Sequence, residues 1–135
     1  MRLTITTPGA VVVDHADVGA VRAEDESGAF GVLPHHADLV TALEPSVVAW
    51  RHADGRQGFC AVRGGLLVVS DGQAVSVATR EAVVGDDLGA LEALVTGRLE
   101  ADAEAERRAR AHAEQLRIQA IRQIIGVMRP GGGPS

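Results

Sequence analysis

The chain has no lysine and no tyrosine, one cysteine, and aromatic rings only at Phe30, Trp50 and Phe59. Each absence excludes something. A lone Cys60 cannot form an internal disulfide and fits a reducing compartment. Three aromatics and a formal net charge of −5 leave neither stacking platforms nor a positive groove for single-stranded nucleic acid. The longest apolar runs, Ala10 to Val13 and Val47 to Trp50, fall far short of the roughly 20 residues a helical membrane span needs. The N-terminus alternates after Arg2 and shows no apolar signal-peptide core. These features predict a soluble cytoplasmic protein whose core is built from Val, Leu, Ile and Ala.

What is present divides by period. Arg2 to Thr6 alternates with period two and stops at Pro8-Gly9. Further strand-like runs follow at Val11 to Val13, Val18 to Ala23, Phe30 to Leu33, Val47 to His52, Gln57 to Val62, Leu66 to Val69 and Ala74 to Ala78. Ala53-Asp54-Gly55 and Asp71-Gly72 read as hairpin turns. Short strands at this spacing, without helical interludes, indicate a β-sandwich or barrel.

After Gly85 the character changes. Asp86 or Asp87 can cap a helix N-terminus, and Leu88, Leu91, Val95 and Leu99 repeat at helical spacing. Residues 100–115 are almost entirely Ala, Glu, Arg and Asp, helix-favouring residues with no large apolar stripe. Apolar spacing returns at Leu116, Ala120, Ile121, Ile124, Ile125 and Met128. Pro130 and the glycines after it predict a flexible tail over 130–135. No Gly or Pro marks a turn between Leu99 and Leu116, so a hairpin and one long helix both remain open. From Arg107 onward six arginines face one acid, a charge of +5, which leaves −10 on residues 1–106. Such asymmetry predicts that the basic end meets something acidic.

Catalytic and metal chemistry find little support. His35, His36 and Asp38 offer N and O ligands, but adjacent side chains on an extended chain point to opposite faces. A local hydrogen bond in a turn is the better expectation for His36. Cys60 sits in a strand-like run with no evident base, as a buried structural thiol would. There is no Ser/His/Asp constellation and no phosphate-cradling Gly-Lys-Ser/Thr loop.

The segment Gly28-Ala29-Phe30-Gly31-Val32-Leu33-Pro34-His35-His36-Ala37-Asp38-Leu39 resembles the epsilon subunit of F-type ATP synthases, called delta in mitochondria. The family signature Gly-x-x-Gly-Ile-Leu-Pro-x-His-x-Pro-Leu is matched at Gly28, Gly31, Val32, Leu33, Pro34, His36 and Leu39, with Asp38 in place of a proline. Thr41 to Pro45 resembles the family's Leu-x-Pro turn, and Val62-Arg63-Gly64-Gly65-Leu66-Leu67-Val68-Val69 its Gly-Gly strand. Order and spacing agree from roughly residue 3 to residue 95.

The resemblance implies a mainly β N-terminal sandwich of about ten strands over 1–85, then a C-terminal α-helical hairpin or extended helix over 86–129. It implies a non-catalytic central-stalk rotor subunit, without cofactor or metal, that couples ring rotation to ATP synthesis and restrains hydrolysis through its helices. The implied partners are the gamma subunit, the c-subunit ring and the alpha/beta catalytic hexamer. Nucleic acid is not among them, and membrane association runs only through the complex, at the cytoplasmic face of the bacterial membrane. Ser27, Gly28 and Ala29 would face the ring and His36 would lie near gamma. Arg107, Arg108, Arg110, Arg117 and Arg122 would engage acidic surface on the catalytic subunits. Members that bind ATP carry Leu/Ile-Asp-x-x-Arg-Ala at the first helix, where this chain has Leu88-Gly89-Ala90-Leu91-Glu92-Ala93. Gly89 and Glu92 remove the Asp and the Arg, so no tight ATP site is expected. The competing readings are a small metal-dependent β-barrel enzyme using His35, His36 and Asp38, and a β-domain adaptor oligomerising through its helices.

Overall fold

A computed structural model describes residues 1–128; the tail expected to be flexible, 130–135, lies outside the described residues. The strands are β1 (Arg2–Thr7), β2 (Ala10–His15), β3 (Val18–Asp25), β4 (Gly28–Val32), β5 (Leu39–His52), β6 (Gln57–Ser70), β7 (Ala74–Ala78) and β8 (Ala82–Gly85). One helix, α1 (Leu88–Met128), follows. The chain divides into two compact units, Met1–Gly97 and a second from Arg98 onward.

The strands order as β2-β1-β7-β6-β5-β3-β4, with β8 pairing β6. All neighbours are antiparallel except β1 and β7, which run parallel. The long strands β5 and β6 serve both layers of the sandwich. The first residues of β5 and the last of β6 join β7 and β1, while the other halves join β3 and β8.

The eight strands replace the expected ten because Gly64-Gly65 and Thr41 to Pro45 do not interrupt their strands. The β5–β6 register runs unbroken from Leu39 opposite Val69 to Arg51 opposite Gln57. What changes is the face turned inward. In β6 it passes from Cys60 and Val62 to Leu67 and Val69, and in β5 from Leu43 to Ser46, Val48 and Trp50. Gly64 (φ 73) and Gly65 (φ 124) supply the left-handed backbone this switch requires. A Cβ on Gly65 would stand 2.1 Å from the Ala78 carbonyl oxygen. Pro45, which has no N–H to donate, sits opposite Arg63 within the same kink. The segment resembling a Leu-x-Pro turn is therefore a bent strand.

The hairpin expected at Asp71-Gly72 forms. Both Asp71 and Gly72 have positive φ, 56 and 65, and Gln73 N–H donates to Ser70 O at 3.1 Å, closing a tight turn about the left-handed Asp-Gly pair, with Asp71 to Gln73 linking Ser70 to its partner Ala74. Inward-facing Leu3, Ile5, Val18, Val21, Val32, Val48, Val75 and Val77 are at most 2% exposed and join Trp50 and Leu67 in one core. Burying each such aliphatic chain contributes about 1.5–3 kcal/mol. Cys60 belongs to that core at 0% exposure, and burial pushes its thiol up to about 11. It is a packed structural thiol, not a nucleophile. Buried Ser46, Thr79 and His52 are satisfied within a few residues or across one loop, whereas the buried Trp50 Nε1–H has no partner among the described residues. Ser46 Oγ donates to Glu44 O, Thr79 Oγ1 donates to Glu81 O, and His52 Nδ1–H donates to Asp17 Oδ1.

Asp87 caps α1. Its Oδ1 accepts from Ala90 N–H at 3.3 Å while its carbonyl accepts the first helical bond from Leu91. In the first unit Leu91 is the buried residue of the helix, and the Leu88 expected beside it is 40% exposed. Of the two arrangements the sequence leaves open, α1 is the continuous helix. Among the described residues no helix is long and apolar enough to cross a membrane.

Candidate functional site

Three surface features carry the residues singled out by the sequence. The first is the β3–β4 hairpin, whose strands close with Asp25 opposite Gly28. Asp at the first position and Gly at the fourth suit the commonest tight turn. The Asp25 carboxylate organises the tip: Oδ1 accepts from Ser27 N–H at 2.9 Å and from its hydroxyl, and Oδ2 accepts from Thr41 Oγ1 at 2.7 Å. The Ser27 hydroxyl first, and then that of Thr41, hold this carboxyl below its usual range. Its stabilisation is complete above the unfolded value and is lost as pH falls through the depressed folded one. Glu24, Glu26, Ser27, Gly28 and Ala29 are exposed, so the hairpin presents an acidic tip tied back to β5.

The second feature is the connection over 33–38. His36 N–H donates to Leu33 O, and His35, with φ 68, donates its N–H to Gly72 O at 2.8 Å. The segment is thus a turn docked on the β6–β7 hairpin and not an extended chain. His36 Nδ1–H donates to the adjacent Ala37 carbonyl at 2.6 Å, the local bond expected of it. Asp38 Oδ1 accepts from Asp71 N–H at 2.9 Å. This aspartate, which replaces the proline of the family signature, anchors the connection to the β6–β7 hairpin. Neither carboxylate anchor has a local sequence signature, because Asp25–Thr41 and Asp38–Asp71 are 16 and 33 residues apart. Register places the two features together: Asp25 lies opposite Leu43 and the 33–38 turn opens β5 at Leu39.

The third feature belongs to the second unit. Arg107 and Arg108 both reach Glu104, at 2.7 and 3.2 Å, Arg110 approaches Glu106 at 3.9 Å, and Arg117 approaches Glu114 at 3.4 Å. Counting charge from residue 107 hides two of these acids, which stand one turn upstream. Pairs of this spacing contribute about 0.2–0.5 kcal/mol each and are weakened by salt. Arg122 has no ion pair among the described residues. Beside these groups Leu116, Ile118, Ile121, Ile124, Ile125 and Val127 are 40–86% exposed, a density of uncovered apolar side chains that marks a contact surface.

At the start of α1, Gly89 and Glu92 lie in the first turns where a phosphate-binding Asp and Arg would be needed. Titrating the full chain with Mg-ATP in a calorimeter is expected to give no binding tighter than millimolar, about −4 kcal/mol. A micromolar isotherm would contradict this.

Residues 1–85 match the family described as ATP synthase, Delta/Epsilon chain, beta-sandwich domain. The chain is 43% identical over 133 residues to an ATP synthase epsilon chain 2 of Paraburkholderia xenovorans, covering 98% of this chain and 96% of that protein. It is 45% identical over 125 residues to an ATP synthase epsilon chain 2 of Cereibacter sphaeroides, covering 93% and 86%. Among solved structures it is similar to a chain of the Euglena gracilis mitochondrial ATP synthase, OSCP/F1/c-ring, at TM-score 0.58 and 27% identity, covering 81% of this chain and 62% of that one. A chain of the Tetrahymena thermophila mitochondrial ATP synthase central stalk and c-ring shares the fold at TM-score 0.54 and 14% identity, covering 62% and 65%.

Proposed function

The chain belongs to the delta/epsilon chain family of ATP synthase, and from that premise we propose that it is the non-catalytic epsilon subunit in the central stalk of a bacterial F-type ATP synthase. The observation that carries this reading is the 43% identity that runs through sandwich and helix alike, over 98% of the chain. In this reading the sandwich domain, 1–85, sits at the cytoplasmic face of the membrane against the gamma subunit and the c-subunit ring. Ser27, Gly28 and Ala29 meet the ring, and His36 faces gamma. The carboxylate anchors support this role: torque passing through a hairpin tip requires that the tip not hinge, and Asp25 fastens it to Thr41.

The helical domain, 86–129, regulates. Its two apolar segments flank the polar stretch 100–115, which serves as a joint, so the region can adopt a two-helix hairpin as well as the continuous helix. When continuous, it offers Leu116 to Val127 and the arginines to the alpha/beta hexamer and restrains hydrolysis. The chain supplies positions and contacts, and the chemistry stays in the catalytic subunits.

Cross-linking tests the placement. The native Cys60 is buried and its thiol is pushed up to about 11, so a thiol introduced by Ser27→Cys or His36→Cys is the reactive one. In the assembled complex a short bifunctional reagent is expected to join position 27 to a ring subunit and position 36 to gamma. Products with alpha or beta alone would contradict the placement.

A further inference from the structure

The first unit holds a cleft of about 450 Å³ that the stalk reading does not use. It opens where the end of β1 (Thr6, Thr7), the β6 kink (Arg63, Gly65) and the segment after β7 (Thr79, Arg80) converge. Thr79 N–H donates to Thr6 O at 2.9 Å, which fixes two of its walls together. The third wall is fixed by close approach: Gly65 lies so near the Ala78 carbonyl that a side chain there would meet it at 2.1 Å.

Two arginines, Arg63 and Arg80, are among the residues that line this cleft. Arg63 is held in place by Glu81, with Nη1 at 3.2 Å from Oε1, while the exposed Arg80 has no carboxylate partner among the described residues. Two threonine hydroxyls direct their protons into the wall, Thr6 Oγ1 to Val77 O and Thr79 Oγ1 to Glu81 O. The hydroxyl of Thr7 makes no such bond among the described residues. Arginine forks match the tetrahedral oxygens of phosphate, donating two parallel hydrogen bonds to each group. A cleft of about 450 Å³ leaves room for a short polyphosphate as well as for a single phosphate. We propose that this cleft binds a phosphate-class oxyanion, either inorganic phosphate or a short polyphosphate, with Arg80 as the principal ligand, Arg63 as the second cation and the Thr7 hydroxyl as a further donor. The site lies on the sandwich, apart from the start of α1, and does not depend on the rotary assignment.

The test is a titration of the ¹⁵N-labelled full chain with pyrophosphate at low ionic strength. Saturable shifts are expected at the amides of Thr6, Thr7, Gly65, Thr79 and Arg80. Arg80→Ala is expected to weaken the apparent affinity about tenfold or more, the scale of a lost charged hydrogen bond. Arg80→Lys should retain part of the affinity, and Arg22→Ala, outside the cleft, should leave it unchanged. The proposal is overturned if shifts spread over the arginines of α1, if they fail to saturate, or if Arg80→Ala titrates like the wild type.

Discussion

Truncation after Ala105 is expected to raise ATP hydrolysis by the assembled complex about 5-fold or more, the range of a coupling free energy typical of regulatory contacts. Assembly should survive, because the ring and gamma contacts are assigned to the sandwich. The removed segment carries Leu116, Ile118, Ile121, Ile124, Ile125 and Val127, all uncovered. In the proposed regulatory role, burying part of that surface against the hexamer, at about 25 cal/mol per Å², would supply the bias. Charge reversal at Arg107, Arg108 and Arg110 should act in the same direction but more weakly, since Glu104 and Glu106 already offset much of their charge. Its effect should fade at high salt. If the segment served only the isolated subunit, truncation would lower that subunit's Tm and leave hydrolysis unchanged. Matched activity and melting measurements separate the two.

The second large effect is on stability. Gly65→Ala is expected to destabilise the sandwich by about 3 kcal/mol, combining backbone strain at φ 124 with overpacking against the Ala78 carbonyl. That corresponds to a fall in Tm of roughly 10 °C. Gly9→Ala is the control: nothing lies within 4 Å of its added carbon, and a change within about 0.5 kcal/mol is expected. Equal melting temperatures for the two variants would show that the β6 kink does not need glycine.

The same kink explains which parts of the fold were legible in the sequence. Asp54-Gly55 and Asp71-Gly72 were readable because a tight turn is decided by the residues within it. Gly64-Gly65 has the same outward signature, yet it keeps the β5–β6 ladder in register and exchanges the inward face. Counting strands by glycine punctuation therefore cuts one long strand into two. Strand β8 has no local signature: Ala82–Gly85 is four residues long and gains its order from pairing with β6. In the helix, spacing gave the element but not its burial: Leu91 is buried while Leu88 and Leu99 are 40% and 45% exposed. At the candidate site the family signature located the turn, and the residue that departs from it, Asp38, proved to anchor the turn through Asp71. Long-range carboxylate-to-backbone bonds of that kind leave no periodic trace.

The measurement that tests the central claim most directly is recovery of the tagged full-length chain from its native cells under mild detergent, with the retained subunits counted by mass spectrometry. A central-stalk subunit brings down gamma and the c-subunit ring together with the alpha and beta subunits, in fixed ratio and at one copy of this chain per complex. Recovery of the chain as a self-associated species, or with metal and no synthase subunits, would contradict the account.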